Sequence, residues 1–505
     1  MKKIGAIFAS GLLSMLAAAC APPVKNEEAT AFAPVGQPVR ISPENAESAE
    51  PAVAIARDGT AYVAWVEHRA KSEADLFVAR LDHDGHAIGE PVRVNALAGE
   101  ATAWRGDPPT LAVSADGTIY VGWTARASAA AQGHATDLYL SASHDNGRTF
   151  APPVRVNDDL KPVVHGMHSL AVARDGRIHL AWLDERNMGA PPVDQKADHK
   201  QMEHMEHNRE VFTAFSTDGG RSFSANRRVA GEACPCCKTS VATAPDGRVY
   251  VGWRQVLPGD YRHIAVSSSA DGGETYSPPL IVSDDQWVIA GCPVSGPALQ
   301  ATGEGLLRVM WYTAGERGVP GLYWAESSDA GKTFSESRFF AAGQAHGTPL
   351  LLADERDNLI AVWENIDGGA ARLMAAPLLA AGKESAQVAT SAELPSAAII
   401  GDQLFIGYVA STGERRGVWV LRAKPAPIAI GNRAARANDV DAAGNFSAAP
   451  YCMALMMASA NSAVLDSPPM SRVRTFPSSK TFRSADSIFS AASRSPRWRS
   501  IRMPD

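Results

Sequence analysis

Short apolar runs alternate with polar turns at a steady cadence along this chain, and six of the runs end in the same tryptophan. They are Tyr62-Val-Ala-Trp65, Tyr120-Val-Gly-Trp123, His179-Leu-Ala-Trp182, Tyr250-Val-Gly-Trp253, Arg308-Val-Met-Trp311 and Ile360-Ala-Val-Trp363. Phe405-Ile-Gly-Tyr408 repeats the pattern with tyrosine in the tryptophan position. Subtracting successive positions gives spacings of 58, 59, 71, 58, 52 and 45 residues. β-branched and aromatic runs bounded by turn residues predict strands, and a repeat of this length predicts a four-stranded antiparallel sheet with its loops. The expected fold is therefore all-β, a propeller of such sheets.

Each unit has the same internal order. A run such as Pro51-Ala-Val-Ala-Ile-Ala56 forms strand A, and Arg57-Asp58-Gly59-Thr60 makes a tight turn, read as a two-residue hairpin in which Asp-Gly supplies positive φ. The tryptophan run is strand B, Asp75-Leu-Phe-Val-Ala-Arg80 strand C and Glu90-Pro-Val-Arg-Val-Asn95 strand D. The turn recurs as Ala115-Asp116-Gly117, Arg174-Asp175-Gly176 and Pro245-Asp246-Gly247.

Between strands C and D four units carry a second signature, Ser-x-Asp-x-Gly-x-Thr/Ser-aromatic. The copies run from Ser143 to Phe150, Ser216 to Phe223, Ser269 to Tyr276 and Ser327 to Phe334. This is the Asp-box, and over roughly residues 37 to 423 the chain resembles the sialidase-like, Asp-box (BNR) repeat propellers. The motif's content is structural: the Asp side chain caps amides of its own turn, Gly takes the left-handed position and the aromatic packs between sheets. It reports fold and not activity.

Pro395 to Ile400, Gln403 to Tyr408 and Gly417 to Arg422 read as strands A, B and C of a further unit whose outer strand is missing. Gln37-Pro-Val-Arg-Ile-Ser42 matches Glu90 to Asn95 and precedes the first unit, so it supplies that strand. Closing the ring with both chain ends in one blade removes the open sheet edge. Seven blades are favoured, with six, the number in sialidases, as the alternative.

The two ends read differently. Residues 1–19, with Lys2-Lys3, an apolar stretch from Ile4 to Leu16 and Ala17-Ala18-Ala19-Cys20, form a lipoprotein signal with Cys20 as the lipidation site. Residues 20–36 form a tether, 37–423 the propeller and 424–505 a tail. The expected location is the bacterial cell envelope, anchored by lipid to the outer membrane and facing the periplasm, since Ala21 is not the Asp of inner-membrane retention. From Gly431 to Asp505 there is no glutamate and the strand pattern stops. That stretch reads as a disordered tail, with an out-of-frame extension or a small helical unit around Tyr451 to Ala463 as alternatives. A net charge of -6 with no basic stripe in the propeller argues against nucleic acid as a partner.

In a propeller the loops leading into strand A and those from B to C share one face around the axis. The residues leading into strand A are Glu50-Pro51, Gly106-Asp107-Pro108-Pro109, His165-Gly166-Met167-His168, Cys234-Pro235-Cys236-Cys237-Lys238, Gly291-Cys292-Pro293 and His346-Gly347. The resemblance implies, for a sialidase, three arginines on the substrate carboxylate, a Tyr nucleophile activated by Glu and an Asp acid/base. Laying the family's Arg-Ile-Pro run on Ala49-Glu50-Pro51 puts Ala49 at the first arginine, Arg40 is displaced from it, and Arg69 does not match a clamp position. No residue in the stretches leading into strand A replaces it.

The cysteines are the sharper lead. Cys234, Cys236, Cys237 and Cys292 fall at one mouth; they read as disulfides, as metal ligands with C-x-x-C spacing between Cys234 and Cys237, or as redox thiols. His165 and His168 stand on the neighbouring blade, and the 71-residue spacing holds an insert with His199, Met202, His204, Met205 and His207. Thioether with imidazole suits copper, Cu(I) especially. The expectation is an envelope lipoprotein whose propeller binds a ligand or soft metal at this mouth. The alternatives are a sialidase-like glycoside hydrolase using Asp107, Asp184 and Glu185, and a protein-interaction propeller. A glycan or protein ligand at the mouth fits these readings.

Overall fold

The computed structural model describes residues 32–425 save 70–72, 128–134, 189–207, 290–292, 304 and 380–384. The chain divides between Gly431 and Asn432 into two units, and the second lies wholly outside the described residues. So do the signal segment, Cys20, Cys292 and the insert residues His199, Met202, His204, Met205 and His207.

The chain begins with β1 (Phe32–Pro34) and β2 (Val39–Arg40). Blade 1 follows as β3 (Glu47–Ile55), β4 (Ala61–His68), β5 (Ala74–Leu81) and β6 (Val92–Arg93), and blade 2 as β7 (Thr110–Val113), β8 (Ile119–Arg126), β9 (Thr136–Ser143) and β10 (Val154–Arg155). Blade 3 is β11 (His165–Val172), β12 (Ile178–Asp184), β13 (Arg209–Ser216) and β14 (Arg227–Ala233); blade 4 is β15 (Ser240–Thr243), β16 (Val249–Leu257), β17 (Tyr261–Ser269) and β18 (Leu280–Ile281). Blade 5 is β19 (Ala298–Ala301), β20 (Leu307–Thr313), β21 (Gly321–Ser327) and β22 (Arg338–Ala342); blade 6 is β23 (Gln344–Ala353), β24 (Leu359–Asp367), β25 (Ala370–Pro377) and β26 (Ala386–Thr390). Blade 7 is β27 (Glu393–Ile400), β28 (Gln403–Thr412) and β29 (Arg415–Pro425), and its outer edge is completed by β2 and β1, both antiparallel to β29.

The structure is thus a seven-bladed all-β propeller closed by the N-terminal strands, as the repeat pattern predicts. Two boundaries move. The segment read as a tether contributes β1, whose Phe32 is 2% exposed in the core, and β29 runs on to Pro425, so the propeller spans 32–425 and not 37–423. Pairing of Phe32 with Pro425 and Ala33 with Lys424 explains both shifts.

The tryptophan runs are strands β4, β8, β12, β16, β20 and β24, with tyrosine in β28. Trp65, Trp123, Trp182, Trp253, Trp311, Trp363 and Tyr408 are each at most 5% exposed. Among the described residues the apolar core is seven clusters, one between each neighbouring pair of blades, and the last joins Phe405, Val418 and Val420 of blade 7 to Val53, Val63 and Trp65 of blade 1. Closure of the ring is therefore a packed apolar contact as well as a strand pairing.

The Asp-Gly turns correct the sequence reading. Ala56 and Thr60 pair across Arg57-Asp58-Gly59, and only Gly59 has positive φ, so the loop has three residues with glycine in the left-handed position. A two-residue type I′ turn requires positive φ at both central residues. Asp58 instead accepts from the Thr60 amide at 2.9 Å, stabilising the longer loop. The Asp-boxes behave as read: Asp145 accepts from the Arg148 and Thr149 amides and from the Thr149 hydroxyl, while Gly147 has φ +77 and Phe150 packs against the core between blades 1 and 2.

Candidate functional site at the propeller axis

The inner strands of all seven blades line one cavity of about 300 Å3. Its wall is built by a repeated local device. In β3, β11, β23 and β27 the register against strand B slips just where the chain enters the blade, and the slipped segments hold Glu50, Met167, Gly347 and Leu394 at positive φ. A β-bulge re-aims the residues that follow it, and here those residues reach the axis: Pro51, Ser169, Thr348 and Pro395 line the cavity.

The polar lining is Arg105, Lys238, His346 and Glu364 with the hydroxyls of Thr110, Thr239, Ser240 and Ser396 among others. Glu364, on β24, is the buried centre of one group. It accepts from Arg105 Nη2 at 3.2 and 3.3 Å and from the Leu394 amide at 2.8 Å, with His346 Nδ1 at 3.2 Å. Burial would raise its pKa, but His346, the Leu394 amide and the Arg105 charge together hold it below the ordinary value. Arg105 also faces Glu393 at 3.6 Å. Trp104, 45% exposed, lays its ring against Gly106 of the cavity wall.

Arg105 corrects the expectation that no arginine leads into a strand A. It stands one residue before Gly106, at the end of a long irregular loop whose sequence has no period, so neither its distance from the axis nor its carboxylate partners could be read. The other arginines are placed elsewhere: Arg40 is on outer strand β2, bonding Ser42 and Thr412, and Arg69 pairs with buried Asp75. Ala49 is fully buried in β3. Among the described residues the cavity lining holds a single arginine and no tyrosine.

A second group lies beside Lys238. Asp107 Oδ1 accepts from the His168 amide at 3.0 Å and meets its Nδ1 at 2.9 Å, with Lys238 Nζ 3.8 Å away. Burial would raise the Asp107 pKa; the His168 imidazole and then the Lys238 ammonium outweigh it and hold the carboxyl at about 2. Burial lowers Lys238 to about 8, and Asp107 limits the fall.

The remaining acidic candidates are structural anchors. Asp184 accepts from Trp182 Nε1 at 2.7 Å and pairs with Arg186, and Glu185 pairs with Arg209 at 2.8 Å. Neither lines the cavity. Asp159, His165 and Asp184 form a metal-like cluster, with His165 Nε2 2.9 Å from Asp159 and Nδ1 2.6 Å from the Thr136 carbonyl. Arg186 already supplies positive charge to both carboxylates, at 3.3 and 2.8 Å.

The cysteines do meet. Cys234, Cys236 and Cys237 are at most 3% exposed, and their sulfurs lie within 4.8 Å of one another. The reason is β14, which runs past its own blade to pair Ala233 with Gln255 of β16 and so delivers the loop into the core between blades 3 and 4. Cys234 and Cys237 are free thiols, whereas Cys236 is disulfide-bonded. The Cys237 side chain, then Arg262 and Arg254, lower the Cys234 pKa against the effect of burial; burial and Cys234 raise that of Cys237. The expected sharing of the sulfurs with His165 and His168 is not seen: each imidazole is bonded to a carboxylate instead, because Asp159, Asp184 and Asp107 are the nearer partners that the blade 2 and blade 3 loops bring to them.

The architecture and these recurring turns define an Asp-box propeller. The model of the BNR repeat-like domain matches residues 59–348, more than half of the chain, and the chain belongs to that family. No curated protein matches the sequence. Among solved structures, a protein of unknown function from Dyadobacter fermentans is 16% identical, with 78% of this chain and 100% of that one covered and a TM-score of 0.46. The NanB sialidase from Streptococcus pneumoniae is 10% identical, with 72% and 83% covered and a TM-score of 0.40. An ulvan lyase of a polysaccharide lyase family is 14% identical, with 76% and 95% covered and a TM-score of 0.48. At these identities nothing about activity follows.

Proposed function

We propose that this chain is a lipid-anchored protein of the bacterial cell envelope whose propeller binds a small hydroxyl-rich ligand, a glycan fragment, in the axial cavity without cleaving it. The observation that carries the reading is the cavity itself: seven inner strands converge on one space in which Arg105, Lys238, His346, Glu364 and several hydroxyls are set among apolar residues, with an exposed indole, Trp104, packed against Gly106 of its wall. An aromatic face beside hydrogen-bonding groups suits a sugar ring. Among the described residues the one arginine lining the cavity is engaged by Glu364 and Glu393, and no three-arginine clamp for a sialic acid carboxylate is formed. The outer-membrane anchor rests on the Ala17-Ala18-Ala19-Cys20 sequence alone.

The test is binding of the purified protein to a panel of neutral and sialylated oligosaccharides, read by saturation-transfer NMR. The reading expects at least one neutral binder whose signal falls sharply in Trp104→Ala. Absence of binding across the panel would overturn it. Cu(I) capture by Cys234, Cys236 and Cys237 is the competing reading, favoured by the spacing of their sulfurs. It requires Cys236 to leave its disulfide, so stoichiometric copper on reduced, anaerobic protein, lost in a Cys236→Ser, Cys237→Ser double variant, would promote it.

A further inference from the structure

The space between blades 3 and 4 holds an arrangement that glycan binding at the axis does not use. A free thiol, Cys234, lies with its sulfur 3.8 Å from that of Cys236, which is itself bonded in a disulfide. Arg262 Nη1 donates to the Cys234 sulfur at 3.2 Å. Arg254 completes the surroundings: it is fully buried, and its guanidinium influences the Asp285 carboxylate through space without a hydrogen bond to it among the described residues. Its Nε and Nη2 donate to the carbonyls of Ser295 and Tyr312, while Nη1 finds no acceptor. A buried guanidinium with one nitrogen lacking an acceptor and no carboxylate hydrogen-bonded to it favours a further negative charge beside it. The Cys234 amide donates to the Arg254 carbonyl at 2.8 Å, which fixes the cysteine loop beside that residue.

We propose that Cys234, Cys236 and Cys237 form an internal thiol–disulfide exchange centre, in which the Cys234 sulfur attacks the Cys236 sulfur and displaces the sulfur now bonded to it. The step balances without any outside reagent. An electron pair on the Cys234 thiolate forms the Cys234–Cys236 bond, the existing bond of Cys236 breaks, and the displaced sulfur leaves as a thiolate that takes a proton from solvent. Cys237, the third sulfur within 4.8 Å, remains a thiol throughout. Exchange of this kind proceeds through the thiolate, and the Arg262 hydrogen bond together with the nearby buried Arg254 guanidinium favours that form. The outcome is a disulfide that moves within the buried loop, from the present bond of Cys236 to a Cys234–Cys236 pair.

The full chain, purified without reductant and in the presence of a chelator, is held at neutral pH, quenched with acid, unfolded and alkylated, and its peptides are mapped. The proposal expects a growing fraction of molecules in which Cys234 and Cys236 are both protected from alkylation. It expects Arg262→Gln to slow that growth at least tenfold while the far-ultraviolet spectrum of the fold is retained. Cys234 remaining fully alkylatable in the wild-type protein at every time point overturns the proposal. Growth unaffected by Arg262→Gln overturns the assigned role of the guanidinium. Cys234→Ser should leave one fixed linkage; if that variant does not fold, the wild-type time course still decides.

Discussion

Replacing Arg105 by alanine tests whether the axial cavity is built as described. Glu364 has a side chain 1% exposed and three sources of hydrogen bonds: Arg105, His346 and the Leu394 amide. Removing one partner of a fully buried ion pair costs about 3–5 kcal/mol. Here Arg105 is 30% exposed and two partners of Glu364 survive, so the loss is smaller, about 2 kcal/mol, near the value of one charge-assisted hydrogen bond. Equilibrium urea unfolding followed by tryptophan fluorescence measures it. The pH dependence gives a second readout. The Glu364 pKa is lowered from 4.5, so its stabilisation is present above that value and is lost as pH falls through the lower folded value. In Arg105→Ala the loss should begin at higher pH, because the charge that lowers the folded pKa is gone. Adding Glu364→Gln should then cost less than it does alone, since the two groups interact. A change below about 0.5 kcal/mol with an unaltered acid limb would refute the argument, because it would mean that Glu364 is not dependent on Arg105 for its buried charge.

Other consequences can be measured separately. Phe32→Ala should cost about 3–4 kcal/mol, as a buried phenyl ring of the closing strand β1 is removed, and thermal unfolding would show it as a lower Tm. Asp218→Ala should lower Tm, because Asp218 accepts from the Arg221 and Ser222 amides and the Ser222 hydroxyl; the same contacts hold its pKa at about 2, so the loss should appear at pH 7 and vanish below pH 2. Cys20→Ser should move the protein from the membrane fraction to the soluble fraction or leave the precursor uncleaved, and unchanged membrane retention would remove the anchor.

Much of the architecture was legible because each blade repeats one local solution. A tryptophan at a fixed place in strand B of six blades, and Tyr408 in the seventh, packs against the preceding sheet, and the four Asp-boxes are self-contained hydrogen-bonded turns whose residues all lie within one octapeptide. Closure was readable too, since Val39-Arg40 repeats the Val-Arg of outer strands β6 and β10. The cavity was less legible because its chemistry depends on contacts far apart in sequence. Arg105 meets Glu364 across 259 positions, and His168 meets Asp107 across 61. The cysteine cluster was visible as a motif, but its oxidation state and its separation from the histidines were not. That separation follows from where β14 ends and from the carboxylates that reach His165 and His168 first.

The claim that the axial site binds without cleaving is tested most directly by holding the purified protein at stoichiometric concentration with a sialylated lactose and measuring free sialic acid by mass spectrometry. Release should be no greater than in a heat-denatured control, because Arg105, the one arginine lining the cavity among the described residues, is already held by Glu364 and Glu393. Release well above that control, abolished in Arg105→Ala, would contradict it.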